Sequence, residues 1–530
     1  MAAACLMPVF PSSAQSAKST PESSYRVAGV LVSKTDGDPL AGARVILAST
    51  KDRQSPQSVM TSDDGRFEFS GVPAGKFSLT AAKRGFISAS YDQHDQYATA
   101  IVTGAGVDTE NLVLKLSPQA LIGGRVLDEA GDPVRNAPVT LYRDNHFEGV
   151  HEIQTFRSAM TNDLGNYEVD GITPGTYFLS VEVEPWYAVH PSGPAPASVD
   201  PALDVSYPVT YYGDVMEPES ATPITVRGGE RLQLDVHLAP VPSLHLLVHM
   251  PESQANQYPF PQLEHSGFNG SAFVRTGQTR MDFPGTWEIT GIPAGRYNIR
   301  LMGPNSGSQL NGIEVNAANQ EVDATSGEAL CTLNVSLTAG IPTSAQLSIF
   351  LRSNNSPFPV AQMTDPKGQA KFENLTPGRY DVEVVGQGKR FDITKISAES
   401  ASISGRSIIL AAGAAASVSL SIGTGSGEVQ GIARKTEKPF AGAMVVLVPR
   451  NPDGNRDLFR RDQSDLDGTF VFHNVVPGSY RVVAIEDGWD LDWSQPEVIA
   501  GYAKRGIPLQ VADKAGQNLT LPGPVDVQTK

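Results

Sequence analysis

The side chains of this chain best suited to meeting a ligand are aromatics that stand outside any strand alternation. Trp186 and Tyr187 sit in the phrase Val-Glu-Pro-Trp-Tyr, and Tyr207, Tyr211 and Tyr212 follow shortly after. Far downstream, Trp489 and Trp493 lie in a polar loop, GWDLDWSQP, at a corresponding place. Sugar rings present flat C–H faces, so exposed aromatic platforms beside carboxylates are natural carbohydrate binders. Trp186, Tyr187, Tyr211, Tyr212, Trp489 and Trp493 are therefore the candidate ligand-binding residues. The same rings suit a second use, covering the end of a sandwich or sealing a contact between units, because large aromatics are often half-buried. Solvent accessibility of the three tryptophans separates the two uses.

Other chemistry finds little support. No catalytic residue, metal ligand or cofactor is expected. HExxH is absent, no zinc-peptidase ligand motif is expected, and His245 and His249 on one strand face lack a third ligand. There is no Gly-x-Ser-x-Gly elbow. The glycines of GTGSG at 423–427 follow a strand without opening a helix, so they read as a joint. Asp63/Asp64 and Asp465/Asp467 fall short of the six or more oxygens a calcium ion takes.

The elements that must position these residues come from a repeat. Glycine pairs ten residues apart occur five times: Gly65/Gly75, Gly165/Gly175, Gly285/Gly295, Gly368/Gly378 and Gly468/Gly478. Such self-similarity decides the fold. Three residues before each first glycine stands Ser62, Asn162, Asp282, Asp365 or Asp465, the signature of a type I turn at a hairpin tip. Period-two alternation follows, as in Phe67/Phe69, Tyr167/Val169, Trp287/Ile289 and Phe470/Phe472, with Ala370 and Phe372 in the fourth copy. A proline precedes each second glycine, and the next strand opens on Phe77, Tyr177, Tyr297, Tyr380 or Tyr480. Upstream, GVLVSKTDGDPLAGARVIL, GRVLDEAGDPVRNAPVTL and GIARKTEKPFAGAMVVL each read strand, turn, strand. Short strands with frequent Gly/Pro turns predict an all-β fold, a tandem array of about five immunoglobulin-like or transthyretin-like antiparallel β-sandwiches.

These phrases resemble the carboxypeptidase regulatory-like domain, a transthyretin-like sandwich related to Cna B-type and starch-binding-like folds. The resemblance is strongest in copies one, two and five. It implies a non-catalytic module, and its starch-binding-like relatives favour carbohydrate as a ligand.

The predicted units are a leader at 1–23 and repeats at 24–117, 118–240, 241–338, 339–425 and 426–530. The third and fourth are the least regular, with 83 residues between first glycines (285 to 368) against 100, 120 and 100 elsewhere. Units of this size bury a core without staples, and the cysteines, Cys5 and Cys331, offer no disulfide framework. Cys331 alternates with Leu333, Val335 and Leu337 and is expected to be a buried thiol. Met1–Gln15 reads as a truncated signal peptide ending near Ser12-Ser13-Ala14. No stretch suits a membrane span, and a net charge of −16 without a basic cluster argues against nucleic acid. The expected protein is an exported, monomeric binding array at the cell envelope whose partners are polysaccharide or envelope proteins. The alternatives are a structural scaffold and a regulatory partner for a separate enzyme. Short proline-containing joints predict an elongated, semi-rigid rod.

Overall fold

The computed structural model describes residues 24–51, 56–104, 106–147, 149–193, 199–250, 258–268, 270–302, 307–338, 346–353, 359–386, 389–423, 427–512 and 518–530. The leader with Cys5, and most of the 423–427 joint, lie outside them.

One topology recurs five times. In the first module, Ser24–Ser33 pairs antiparallel with Arg66–Pro73 and parallel with Leu112–Leu116. The facing sheet centres on Arg44–Ser49, which pairs with Gln57–Met60 and Gly75–Ala82. The same pairings recur around Ala120–Leu127 and Pro138–Phe147, around Leu244–His249 and Phe260–Gly267, and around Gly427–Lys435 and Met444–Pro449. Each sandwich thus pairs its first strand in parallel with a closing strand within a mostly antiparallel fold, and the fifth adds a parallel pair between Gly478–Glu486 and Val525–Thr529.

The hairpin tips show why glycine recurs. Gly65, Gly165, Gly368 and Gly468 donate their N–H to the carbonyl three residues back at 2.8–3.0 Å. All four have φ between 71° and 78°, a region that penalises a Cβ. A Cβ on Gly65 would also lie 2.6 Å from the Leu31 carbonyl oxygen, and one on Gly468 2.6 Å from that of Ala433. At the second turn, Tyr177, Tyr297, Tyr380 and Tyr480 each donate a phenolic hydrogen bond to the carbonyl four residues upstream, at 2.7–2.8 Å. The ring fills the core while its hydroxyl is satisfied.

Five clusters of buried side chains follow the five copies. Cys331–Thr338 falls within the predicted bounds of the third unit, although the irregular spacing allows it to close that unit or open the next; it is the first strand of the fourth. It pairs antiparallel with Gln369–Leu375 and parallel with Ala415–Gly423, and its Cys331, Leu333, Val335 and Leu337 lie in the fourth core. Spacing leaves it undecided because the fourth copy has no GAxVxL phrase to mark its start. The Cys331 thiol is free and buried and donates to the Ala411 carbonyl at 3.0 Å. Among the described residues no helix is long and apolar enough to cross a membrane.

Candidate functional site

The fifth module departs from the others by having a second core. Its strand Met444–Pro449 is buried at every position, because both sheet faces are covered. The outer face carries Met444, Val446 and Val448 against Phe459, Val483, Ile485, Trp493 and Ile499. Ile499 comes from the helix Pro496–Ala503. Proline at its start suits a first helical turn, and no sustained helical period announces so short an element. Trp493 is 6% exposed, with its ring 5.8 Å from that of Phe459. A hairpin tip of the second module closes over it. Ser494 donates to the Gly149 carbonyl through N–H and Oγ, at 3.2 and 2.8 Å, and His146 Nδ1 lies 2.9 Å from Asp492. A Cβ on Gly149, at φ +75°, would lie 2.5 Å from the indole. Trp493 is packing, not platform.

Trp489 is half-buried beneath the first module. Its ring stacks on His94 at 4.7 Å and 4°, and Tyr97 lies 6.1 Å away. Between these rings runs Arg461, whose guanidinium is 4.8 Å from Tyr97, 5.4 Å from Trp489 and 5.1 Å from Trp493. Its Nη2 donates to Asp95 at 3.1 Å. Beside this cage, Gln463 donates to the Asp92 carbonyl at 2.6 Å and to Thr99 Oγ1 at 2.7 Å. Lys76 Nζ donates to Asp465 at 2.5 Å, Asp465 also accepts from the Ala100 N–H at 3.0 Å, and Leu466 N–H donates to the Ala100 carbonyl. The hairpin tip that elsewhere faces solvent is here a docking surface.

The first module therefore meets the fifth, and the fifth meets the second and the fourth, where Arg406 pairs with Asp457 and Arg460 with Asp392. The elongated rod is overturned. Stiff joints constrain only successive modules; closure comes from loops hundreds of residues apart finding complementary surfaces.

The remaining candidates divide. Tyr211 is buried, and Phe268 of the third module inserts against it at 5.2 Å and against Tyr142 and Phe178 at 5.0 and 4.8 Å. Tyr212 packs on the second core. Trp186 is 89% exposed and meets Tyr187 edge to face at 5.7 Å. Tyr187 and Tyr207 both donate to the Glu129 carboxylate, Tyr207 at 2.7 Å. Desolvation and the Glu129 carboxylate push the Tyr187 phenol up to about 12, so it stays a donor at neutral pH. Trp186, Tyr187 and Glu129 form one platform, which Trp489 and Trp493 do not join.

Sequence reasoning missed Arg461, Phe268 and Glu129. One signal was present. The residue two places ahead of the turn's first residue (Ser62, Asn162, Asp365) is Met60, Met160 and Met363 in copies one, two and four, 62%, 57% and 60% exposed. Gln463 takes that place in the fifth copy and is 1% exposed. A polar residue there marks the covered edge.

Among the described residues no group of three or more His, Cys, Asp or Glu side chains could hold a metal ion. The metallocarboxypeptidase spacing His-x-x-Glu does occur once, as His249-Met250-Pro251-Glu252, contrary to expectation. Glu252 lies outside the described residues, and His249 is occupied by Thr286 at 3.2 Å and Glu321 at 3.3 Å. His190 and His245 both hydrogen-bond Asp204, at 3.0 and 3.1 Å, at the junction of the second and third modules.

Asp462, next to Arg461, is the most displaced carboxyl. Desolvation raises it to about 6, against hydrogen bonds from the Val471 and Gln463 N–H groups. A folded value above the unfolded one gives stability that is full below about pH 4 and lost as pH rises through about 6, about 3 kcal/mol in all. Asp462→Asn keeps an acceptor for Val471 and removes that slope. Its stability relative to the parent, from urea midpoints, is expected to climb between pH 4 and 7; a constant difference would mean that Asp462 titrates normally.

The fold and these contacts define a class: β-sandwich modules in tandem, docked through aromatic and ionic contacts between distant copies. The first module carries a carboxypeptidase regulatory-like domain, since residues 26–115 match the model of that family. Solved structures similar to this chain include the minor pilin GBS52 of Streptococcus agalactiae, 15% identical over 43% of this chain and 98% of that one, with a TM-score of 0.22. The TIE protein of Bacillus anthracis is 12% identical over 71% and 72%, with a TM-score of 0.18. The major pilin BcpA of Bacillus cereus is 10% identical over 76% and 99%, with a TM-score of 0.14. No curated protein sequence matches the chain.

Proposed function

We propose that this protein is a non-catalytic, exported binding body of the cell envelope, with carbohydrate as its ligand class. The observation that carries the reading is Trp186, 89% exposed, braced edge to face by Tyr187 beside the Glu129 carboxylate. An indole so exposed adds nothing to a core, and a ring beside a carboxylate offers a sugar both a stacking face and a hydrogen-bond acceptor. Retention of the chain on a panel of soluble and insoluble polysaccharides tests it. Trp186→Ala is expected to cost about 1–3 kcal/mol of affinity, with stability changed by less than about 0.5 kcal/mol. Equal retention of parent and variant would remove the platform from the site.

A second reading, a scaffold without a small ligand, is favoured by the burial of Trp493 and Tyr211 between modules. No retention across the panel would leave that reading standing.

A further inference from the structure

Two clefts open where the modules converge. One, of about 760 Å³, is lined by Val150–Thr155 of the second module, Phe268 of the third, Arg379 of the fourth and residues 452–454 of the fifth. The other, of about 680 Å³, lies between Tyr97 of the first module, Phe350 and Asp392 of the fourth, and residues 459–462 of the fifth. They share Arg352, Pro359, Asp381 and Arg456. Clefts between domains and of this volume are where small ligands are held.

Most charges around them are already matched. Arg460 pairs with Asp392 at 3.3 Å, Arg406 with Asp457, and Arg379 with Asp453 at 3.6 Å. Asp381 accepts the Ser407 hydroxyl at 2.6 Å. Desolvation leaves Asp462 partly protonated near pH 6. Arg352 and Arg456, by contrast, have no ion-pair or side-chain hydrogen-bond partner among the described residues. The carboxylate in the place common to both clefts, Asp381, stands opposite Arg352 in the strand register and accepts from Ser407; in a chain with 57 acidic and 41 basic side chains, the exposed Arg352 and half-buried Arg456 beside it point to an anion supplied from outside. A guanidinium fork matches a planar carboxylate, and the half-buried rings of Tyr97 and Phe350 line the second cleft.

We propose that these clefts hold a carboxylate-bearing oligosaccharide, a uronate, with Arg352 and Arg456 receiving its carboxylates; the sugar part of this assignment rests on the carbohydrate reading above. The chain's net charge of −16 repels such a ligand at long range, so binding there requires local recognition.

Calorimetric titration of the full chain with a short oligogalacturonate, with its fully methyl-esterified form of equal length and with a sulfated neutral oligosaccharide tests this. The acid is expected to bind at least roughly tenfold tighter than the ester. Arg352→Gln and Arg456→Gln are each expected to weaken the acid by roughly tenfold, the scale of a hydrogen bond to a charged group. Equal binding of acid and ester, unaffected by the arginine variants, would overturn the uronate site and leave the carbohydrate reading intact. Sulfated ligand binding as tightly as the uronate would overturn the carboxylate assignment. No binding of any of these, together with no retention on the polysaccharide panel, would overturn both readings.

Discussion

Trp493→Ala is expected to destabilise the fifth module by about 3–5 kcal/mol, the cost of removing a large aromatic from a packed core. The indole is 6% exposed among Met444, Val446, Phe459, Val483 and Ile499, and the backbone at Gly149 lies against its face. Its Nε1 has no hydrogen-bond partner among the described residues, so the loss is one of packing and apolar burial. Trp493→Phe, which keeps most of the volume and removes an unpaired buried donor, is expected to cost under about 1.5 kcal/mol. Urea unfolding of both variants checks this. An alanine variant within 0.5 kcal/mol of the parent, the range of surface substitutions, would mean that the ring is surface and would return it to the candidate binding residues.

Arg461→Ala is expected to release the first module from the fifth. One guanidinium serves three rings, Tyr97 across the contact and Trp489 and Trp493 on its own side, and reaches Asp95. Desolvated cation–π contacts contribute about 2 kcal/mol or more, and the aliphatic stem is lost as well. Small-angle scattering should show the maximum dimension growing as the ring of modules opens, and protease should gain access near Tyr97. Arg461→Lys is expected to be intermediate, because an ammonium keeps charge but cannot stack. A scattering profile unchanged in the alanine variant would assign closure to Lys76–Asp465 and the backbone bonds at Ala100 instead.

Much of the module was legible because its determinants are local. A glycine needing positive φ, an aspartate or asparagine capping its own turn and apolar residues alternating at period two act within about ten residues. One longer link recurs as well: the hydroxyls of Thr61, Thr161, Thr364 and Ser464 accept from the upstream N–H groups of Ala43, Ala137, Leu347 and Ala443 at 2.8–3.1 Å. The site was legible only in part. Trp186 stands in the open, whereas Trp489, Trp493 and Tyr211, chosen on the same ground, are covered by His94, Gly149 and Phe268. An aromatic outside the alternation has no partner within its own strand, so nothing nearby in the chain says whether another module will cover it.

From its own residues the chain determined five like sandwiches, their turns and their cores, since short-range sterics and alternation suffice for each. Tertiary structure alone decided that the array closes on itself, which tryptophan meets solvent and that Arg352 and Arg456 meet where the two clefts join. Those outcomes depend on pairs such as Lys76 and Asp465, 389 residues apart, whose meeting is set by the shapes of finished modules, and no local pattern encodes it.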